Sequence, residues 1–448
     1  PDETVADLFG VGGALALLAR IEAGRAATDE IAGADWTLEP RVDKALADVG
    51  LRGVSPLRPL STLSGGQRVR AALAALSFAE PDLVLMDEPS NDLDREGRAM
   101  LHGFLDGWKA GAVVVSHDRA LLNRMDRIVE LSPDGARVYG GGFDAYHERK
   151  TAEREAAGKA LDAAEREARQ AARGAQQARE RQARRDSVAR RGRATSSDPK
   201  ILLDARQERA EATAGRSRRL AARLQAQATD NLARTREAVE RVTPFTAGMR
   251  SSIVPAGRVL VEARGLVIGY DADKPLARLD LDIVGPERIA LVGANGSGKS
   301  TLLKTLAGLI PPLGGALRVA AGFAWFDQHV GLLEDDATIL DNYRRLNPGA
   351  SALECRSALA RYAFRADAAL QKVTTLSGGE RLRAGLACVA SGENAPELLM
   401  LDEPTNHLDL DSVEEVEAGL RGYRGALLVV SHDERFLESI GIERAIAL

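Results

Sequence analysis

Gly293-Ala294-Asn295-Gly296-Ser297-Gly298-Lys299-Ser300-Thr301 satisfies the pattern of a phosphate-binding loop in full. Its surroundings fit too. An apolar strand, Arg288–Val292, leads in, and a helical run, Leu302–Leu309, leads out. Glycines in such a loop let backbone N–H groups wrap phosphate oxygens at a helix N-terminus, where the helix dipole favours anions. Lys299 is placed to neutralise β- and γ-phosphate oxygens, and Ser300 to ligate Mg²⁺. Strand, loop and helix in this order predict an α/β fold built on a parallel sheet.

Working outward, Leu398–Leu401 is an apolar run that stops at Asp402 and Glu403, as a buried parallel strand does where its carboxyl end meets ligand. Two adjacent carboxylates there can divide the labour. Asp402 holds Mg²⁺, directly or through water, and Glu403 orients and polarises the attacking water. His432 closes the next apolar strand and can reach the γ-phosphate.

The same motifs occur earlier in the chain. Leu63-Ser64-Gly65-Gly66-Gln67-Arg68 recurs as Leu376-Ser377-Gly378-Gly379-Glu380-Arg381, and Leu83–Pro89 recurs as Leu398–Pro404. Ser90-Asn91-Asp92-Leu93-Asp94 answers Thr405-Asn406-His407-Leu408-Asp409. Val113–Asp118 answers Leu428–Asp433, so His117 repeats His432, and Asp87 and Glu88 repeat Asp402 and Glu403. Order and spacing agree, which predicts a tandem duplication. In each copy the serine hydroxyl and exposed glycine N–H groups open a helix and offer a second anion site.

Between the copies the composition changes. From His147 to Arg241 the chain is rich in Ala, Arg, Glu and Gln, with Pro199 as its single proline. These are strong helix formers. Gly192–Pro199 is the one concentrated turn signal, so two long helices, about Asp144–Arg191 and Asp204–Arg241, are expected to fold back as a hairpin. Leu220, Leu224, Leu232 and Val239 give the second helix a thin apolar seam, and the first helix offers mostly Ala, which permits close packing. The expected domains are 1–143, 144–245 and 246–448. From Glu148 to Arg241 there are 24 Lys/Arg against 15 Asp/Glu, although the whole chain carries −5. Arg184, Arg185, Arg190, Arg191, Arg193, Lys200, Arg206 and Arg209 crowd the turn. Ion pairing along helices does not account for a positive excess at a tip, so a polyanion contact is expected. With few aromatics nearby, backbone and shape contacts to structured RNA fit better than base stacking.

The rest of the sequence excludes other classes. Cys355 and Cys388 have no Cys/His companions, so neither a disulfide framework nor a zinc site is expected. No apolar run approaches a membrane span. The start, Pro1-Asp2-Glu3, has neither an initiator Met nor a signal peptide and reads as the interior of a longer product.

Taken together, the phosphate loop, the Leu-Ser-Gly-Gly signature, Asp-Glu-Pro, Asn-x-Leu-Asp and Ser-His-Asp resemble the ATP-binding-cassette proteins. The tandem arrangement with a helical linker resembles their ABC-F subfamily. That resemblance implies two P-loop NTPase cassettes meeting head-to-tail within one monomer, with ATP and Mg²⁺ between the phosphate loop of one and the signature of the other. One site then pairs Gly293–Thr301, Asp402, Glu403 and His432 with Ser64, Gly65, Gly66 and Gln67. The other has Asp87, Glu88, His117, Ser377, Gly378, Gly379 and Glu380. Tyr270 matches the aromatic that stacks on adenine, Gln328 the glutamine that touches metal and water, and Asp94 and Asp409 the loop that crosses the interface. The implied function is a cytoplasmic, ribosome-associated ATPase that moves a basic linker (Arg184–Arg209) on rRNA or tRNA. The resemblance departs from the family's pattern before Leu63. No phosphate loop, adenine-stacking aromatic or glutamine loop occurs there, and Thr4–Phe9 matches the segment just after a glutamine loop, so the first part of that cassette is expected to be missing.

Two other readings compete. Tandem-cassette ATPase subunits of membrane transporters join their halves by a short linker, unlike the long basic segment here. DNA-structural ATPases insert their coil inside one cassette, whereas here it falls between two motif sets.

Overall fold

The computed structural model describes residues 3–91, 93–132, 135–195, 215–216, 219–236, 254–320, 322–390, 395–406 and 408–448, with side chains for all except 186 and 189–195. They fall into two compact units, one of Pro1–Asp126 and Pro244–Leu448, the other of Arg127–Thr243.

In the first unit the chain begins with a helical layer: α1 (Val5–Leu8), α2 (Gly12–Glu22), α3 (Thr28–Ala32), α4 (Leu38–Asp48) and α5 (Gly65–Ala79). Val5, Leu18, Val42, Leu46, Leu63 and Ala74 form its core. Then come β1 (Leu83–Asp87), α6 (Arg95–Gly107), β2 (Gly111–Val115) and α7 (Arg119–Leu122). Strands β1 and β2 pair in parallel, Asp87 opposite Val115.

The second unit holds an antiparallel hairpin of β3 (Arg127–Ser132) and β4 (Gly135–Gly140), then α8 (Phe143–Thr195) and a helix at 219–236, α9. The hairpin is tied to the root of α8 by Glu130, which accepts bonds from Lys150 (2.5 Å), Tyr146 (3.0 Å) and Tyr139 (3.2 Å). The unit therefore starts at Arg127, earlier than the expected boundary at 144. Helix α8 also runs through Gly192 to Thr195, past the expected stop at Arg191. A single internal glycine costs a helix only about 1 kcal/mol. Beyond the buried Phe143 and Tyr146 at its root, Ala164, Ala175 and Ala228 are buried among the described residues of this pair, and Arg236 reaches Glu165 across it at 3.0 Å. Leu220 and Leu224 of the expected seam are exposed and Leu232 is half-buried, whereas the alanines expected on the first helix supply buried positions. Val239, Lys200, Arg206, Arg209, Asp92 and His407, and the side chains of Arg190, Arg191 and Arg193, lie outside the described residues.

The rest of the first unit is a fuller cassette. β5 (Val259–Ile268), β6 (Ala277–Val284) and, further on, β8 (Gly314–Val319) form an antiparallel sheet in the order β6-β5-β8. A five-stranded sheet in the order β12-β7-β11-β10-β9 contains β7 (Arg288–Val292), β9 (Phe323–Phe326), β10 (Leu398–Asp402), β11 (Ala426–Val430) and β12 (Arg444–Ala447), all parallel. The helices are α10 (Lys299–Leu306), α11 (Ile339–Leu346), α12 (Ala352–Arg361), α13 (Gly378–Ala390), α14 (Leu410–Gly422) and α15 (Glu434–Ser439). Every residue of β10 and β11 is buried, as their uninterrupted apolar sequence requires for central strands covered on both faces.

The duplication is visible in small details. Thr4 caps α1, with Asp7 bonded back to it, and Thr338 caps α11 with Asp341. Thr4 bridges Pro59 and Thr338 bridges Lys372, antiparallel in both cases. Strands β1 and β10 have nearly the same sequence, yet Leu83, Leu85, Val113 and Val115 are more than half exposed, whereas Leu398, Met400, Leu428 and Val430 are buried.

Candidate nucleotide site

Strand β7 delivers the loop Gly293–Gly298 to the head of α10. Gly298 has φ 105°, a left-handed conformation that glycine adopts without a Cβ penalty. A Cβ there would also lie 3.4 Å from both Ile268 Cδ1 and Leu276 Cβ. Lys299, buried, donates from Nζ to the carbonyls of Gly293 (2.8 Å) and Ala294 (3.0 Å). Its amine is therefore folded over the loop where an anion would sit. Burial lowers its pKa, against the pull of Glu403, Asp402 and Asp94. Asn295 and Gly296 are exposed at the tip, and Thr301 is buried at the base with its carbonyl accepting from Thr305 at 2.9 Å.

Asp402 and Glu403 stand at the end of β10. Asp402 is buried, and burial raises its pKa although Ser300 bonds to it; its Oδ1 has no partner in the structure. A buried carboxylate oxygen left unpaired beside a serine hydroxyl is a fit for a hard divalent cation, which takes oxygen ligands. Glu403 adopts φ 48°, a strained region for a non-glycine residue. It is held there by its N–H bonded to Val430 O at 2.9 Å. Burial pushes its carboxyl up to about 7. His432 Nε2 lies 3.4 Å from Glu403 Oε1. Burial, with Lys299 and Arg98, pushes this imidazole down to about 4, so it is neutral near pH 7.

Gln328, just beyond β9, is exposed and shares a cavity of about 180 Å³ with Glu403, Asn406, His329 and Gly378. Tyr270, two residues past β5, is 69% exposed, free to stack on a flat ring. A larger groove of about 760 Å³, between Trp325, Leu346, Arg361 and Pro396, includes no residue of the phosphate loop.

The first copy meets this site through Asp94. One oxygen of Asp94 caps α6 by accepting from Gly97 N–H at 3.0 Å; the other accepts from Asn295 N–H in the phosphate loop at 3.4 Å. Burial works against the charge of Asp94, but these N–H groups and Arg70 hold its pKa below the usual carboxylate value. Arg70, on α5, lies 3.6 Å from Asp94. The signature helix of the first cassette is thereby connected to the loop that touches the phosphate cradle of the second.

The signature residues themselves are engaged locally. Ser64 Oγ accepts from Gln67 N–H (3.2 Å), and Gln67 Oε1 accepts from Ser64 N–H (3.1 Å). Ser377 and Glu380 form the corresponding pair. These are helix-capping boxes, which hold the serines at helix starts with Gly65 and Gly66 half-buried and Gly378 exposed. Gly379 has a further reason to lack a side chain, since a Cβ would meet Ser412 Oγ on α14. At the other carboxylate pair Glu88 also has φ 44°, with its N–H on Val115 O at 2.8 Å and His117 Nε2 3.3 Å from its Oε1. Asp87 and His117, however, are exposed where Asp402 is buried and His432 half-buried, and Glu88 is half-buried where Glu403 is buried.

Two cross-cassette elements have no motif to announce them. Arg119 on α7 donates to Glu417 on α14 at 2.6 Å, both side chains under 10% exposed. Arg98, in the first turn of α6, acts electrostatically on Glu403 and His432. A charge comparison of the two copies was the one available signal, because Arg119 is answered by Glu434 and Arg98 by Val413.

A phosphate loop at a switch from strand to helix, a carboxylate pair at the end of the neighbouring strand and a second copy reaching in define two cassettes of the ATP-binding-cassette class. Residues 9–91 and 276–406 match the ABC transporter family. The chain is 34% identical over 410 residues to the tylosin resistance ATP-binding protein TlrC of Streptomyces fradiae, covering 89% of this chain and 70% of TlrC. It is 31% identical to the putative ATP-binding protein YdiF of Bacillus subtilis, covering 90% of this chain and 58% of that protein. ABC transporter F family member 5 of Arabidopsis thaliana is 29% identical, over 90% and 54%. Among solved structures, a complex of the archaeal ribosomal stalk protein aP1 with the ribosome recycling factor aABCE1 aligns with TM-score 0.56 at 19% identity, over all of this chain and 68% of that one. The chain belongs to the ABC-F family of ATP-binding-cassette ATPases. No helix among the described residues is long and apolar enough to cross a membrane.

Proposed function

We propose that the chain hydrolyses ATP between its cassettes and uses closure and reopening of that interface to work a basic helical segment against ribosomal RNA or tRNA in the cytoplasm. The observation that carries the first half is Asp94 of one cassette bonded to Asn295 in the phosphate loop of the other. ATP phosphates entering Gly293–Thr301 would draw Lys299 off the Gly293 and Ala294 carbonyls, and Tyr270 would cover the adenine. Ser300 and Asp402, with Gln328, would hold Mg²⁺, which supplies charge neutralisation at the phosphates. Glu403 aligns a water against the γ-phosphorus and takes its proton as the P–O bond to ADP breaks, and neutral His432 steadies the γ-phosphate by hydrogen bonding. Ser64, Gly65, Gly66 and Gln67 would close on the γ-phosphate from the opposite side; at the second interface Asp87, Glu88 and His117 would face Ser377, Gly378, Gly379 and Glu380, but no phosphate loop precedes them in this sequence.

The ribosome is supported by the basic excess of the linker and by the family. A recycling factor among the structural neighbours points the same way, although its role is its own. Co-sedimentation with purified ribosomes tests the proposal. ATP or a non-hydrolysable analogue is expected to raise the pelleted fraction, and equal pelleting with and without nucleotide would count against it. Reversing Arg190, Arg191 and Arg193 to Glu is expected to weaken binding about tenfold or more and to flatten its salt dependence. Unchanged binding would return these residues to a solvated surface.

A further inference from the structure

We propose that the groove between β9, α11, α12 and α13 is a second binding site, distinct from the nucleotide site, for a small apolar carboxylate, an alkyl or aryl acid. The proposal stands apart from ATP hydrolysis, since the groove includes no residue of the phosphate loop. Its volume of about 760 Å³ lies within the range of small-molecule pockets, about 300–1,000 Å³. The walls are mainly apolar: Phe323 on β9, Leu346 on α11, Leu353 on α12 and Val389 on α13. Phe323 and Leu353 are exposed, and covering such surface favours an occupant with an apolar body.

The polar side chains on these walls decide the other end of the ligand. Two are already engaged. Asn347 donates to the carbonyls of Tyr343 (3.0 Å) and Cys388 (2.7 Å). The Glu354 carboxylate serves the cap of α12, accepting from the Ser351 N–H at 2.7 Å and the Ser351 hydroxyl at 2.6 Å. Ser357 adds a surface hydroxyl that can donate or accept. The other two are donors. Tyr343 is 2% exposed, and among the described residues its hydroxyl has no hydrogen-bond partner. Arg361, exposed at the last position of α12, has no ion-pair partner among them. Buried hydroxyls are normally paired, and the fold does not ask for this one. Tyr343 stands five residues after the cap Thr338; five residues after the matching cap Thr4 stands Phe9, buried and without a hydroxyl. A free donor and one cation in an apolar groove fit an acceptor of single negative charge. A carboxylate meets that need, whereas a di- or triphosphate carries more charge than one arginine offsets.

The test titrates the full chain with octanoate, decanoate and 4-phenylbutyrate, below their micelle concentrations, by calorimetry and by tryptophan fluorescence. Trp325 lines the groove and reports on its filling. At least one of the three acids is expected to bind with one-to-one stoichiometry, and decanol and acetate, which lack the charge and the apolar body, about tenfold more weakly. Arg361→Gln, a surface change, is expected to weaken that acid about tenfold, and Tyr343→Phe about fivefold, each with the parent's unfolding midpoint in urea. If Tyr343→Phe lowers the midpoint, Arg361→Gln carries the test alone. No saturable binding by any of the three acids overturns the proposal. So does binding that Arg361→Gln leaves unchanged, or decanol binding as tightly as decanoate, which makes the groove merely apolar. Sedimentation of the chain alone addresses the other occupant: a concentration-dependent dimer that Leu353→Glu dissolves assigns the groove to a second copy and overturns the carboxylate site.

Discussion

Replacing Glu403 by glutamine is expected to cut ATP turnover about 100- to 10,000-fold while leaving ATP bound. Glutamine fills the same volume but cannot accept a proton from the attacking water. The backbone bond that holds this position, from Glu403 N–H to Val430 O, asks nothing of the side chain, so the local fold should persist. In the proposed mechanism nucleotide affinity would rest on other groups, chiefly Lys299, the loop N–H groups and Ser300. Single-turnover hydrolysis and nucleotide retention through gel filtration check the two halves separately. In the full-length protein, Glu88→Gln added to Glu403→Gln should lengthen the lifetime of an ATP-bound, ribosome-associated complex. Turnover within about threefold of the parent would move the water-polarising role elsewhere.

Removing one partner of the buried cross-cassette pair should have the largest effect on stability. Glu417→Leu removes the carboxylate that Arg119 bonds at 2.6 Å, in an interface where both side chains are under 10% exposed. Breaking a buried pair in this way costs about 3–5 kcal/mol. Burial already presses the Glu417 carboxyl toward its neutral form, against the attraction of Arg119, so the pair is held together at a desolvation cost. Arg119→Met combined with Glu417→Leu removes both charges and should recover most of the loss. Trp36, Trp108 and Trp325 all lie in the unit that contains the two cassettes, so tryptophan fluorescence in urea reports on that unit. A Glu417→Leu midpoint equal to the parent's would mean that Arg119 finds water there and that the interface opens easily.

Much of this was readable before any coordinates. The Gly298–Lys299 turn, the carboxylates at strand ends and the duplication are written as local patterns, because short-range geometry demands particular residues at fixed spacings. What escaped depends on contacts between distant residues. Arg119 and Glu417 are 298 positions apart, and nothing near either marks the other. The near-identical strands β1 and β10 differ in burial because burial is a property of the neighbours a strand meets. In the helical unit the alanines read as close-packing, Ala164 and Ala175, are buried, as is Ala228, while Leu220 and Leu224 of the expected seam stay exposed, because burial depends on which face meets a neighbour.

The left-handed backbone at Glu88 and Glu403 has an evolutionary corollary. Each cassette places its glutamate where the chain, left to itself, would favour glycine or asparagine. If these glutamates polarise water as proposed, drift at the two positions has a preferred direction, toward a more relaxed protein with less turnover. A relative that carries glycine there would be recognisable as one that has exchanged turnover for comfort in its fold.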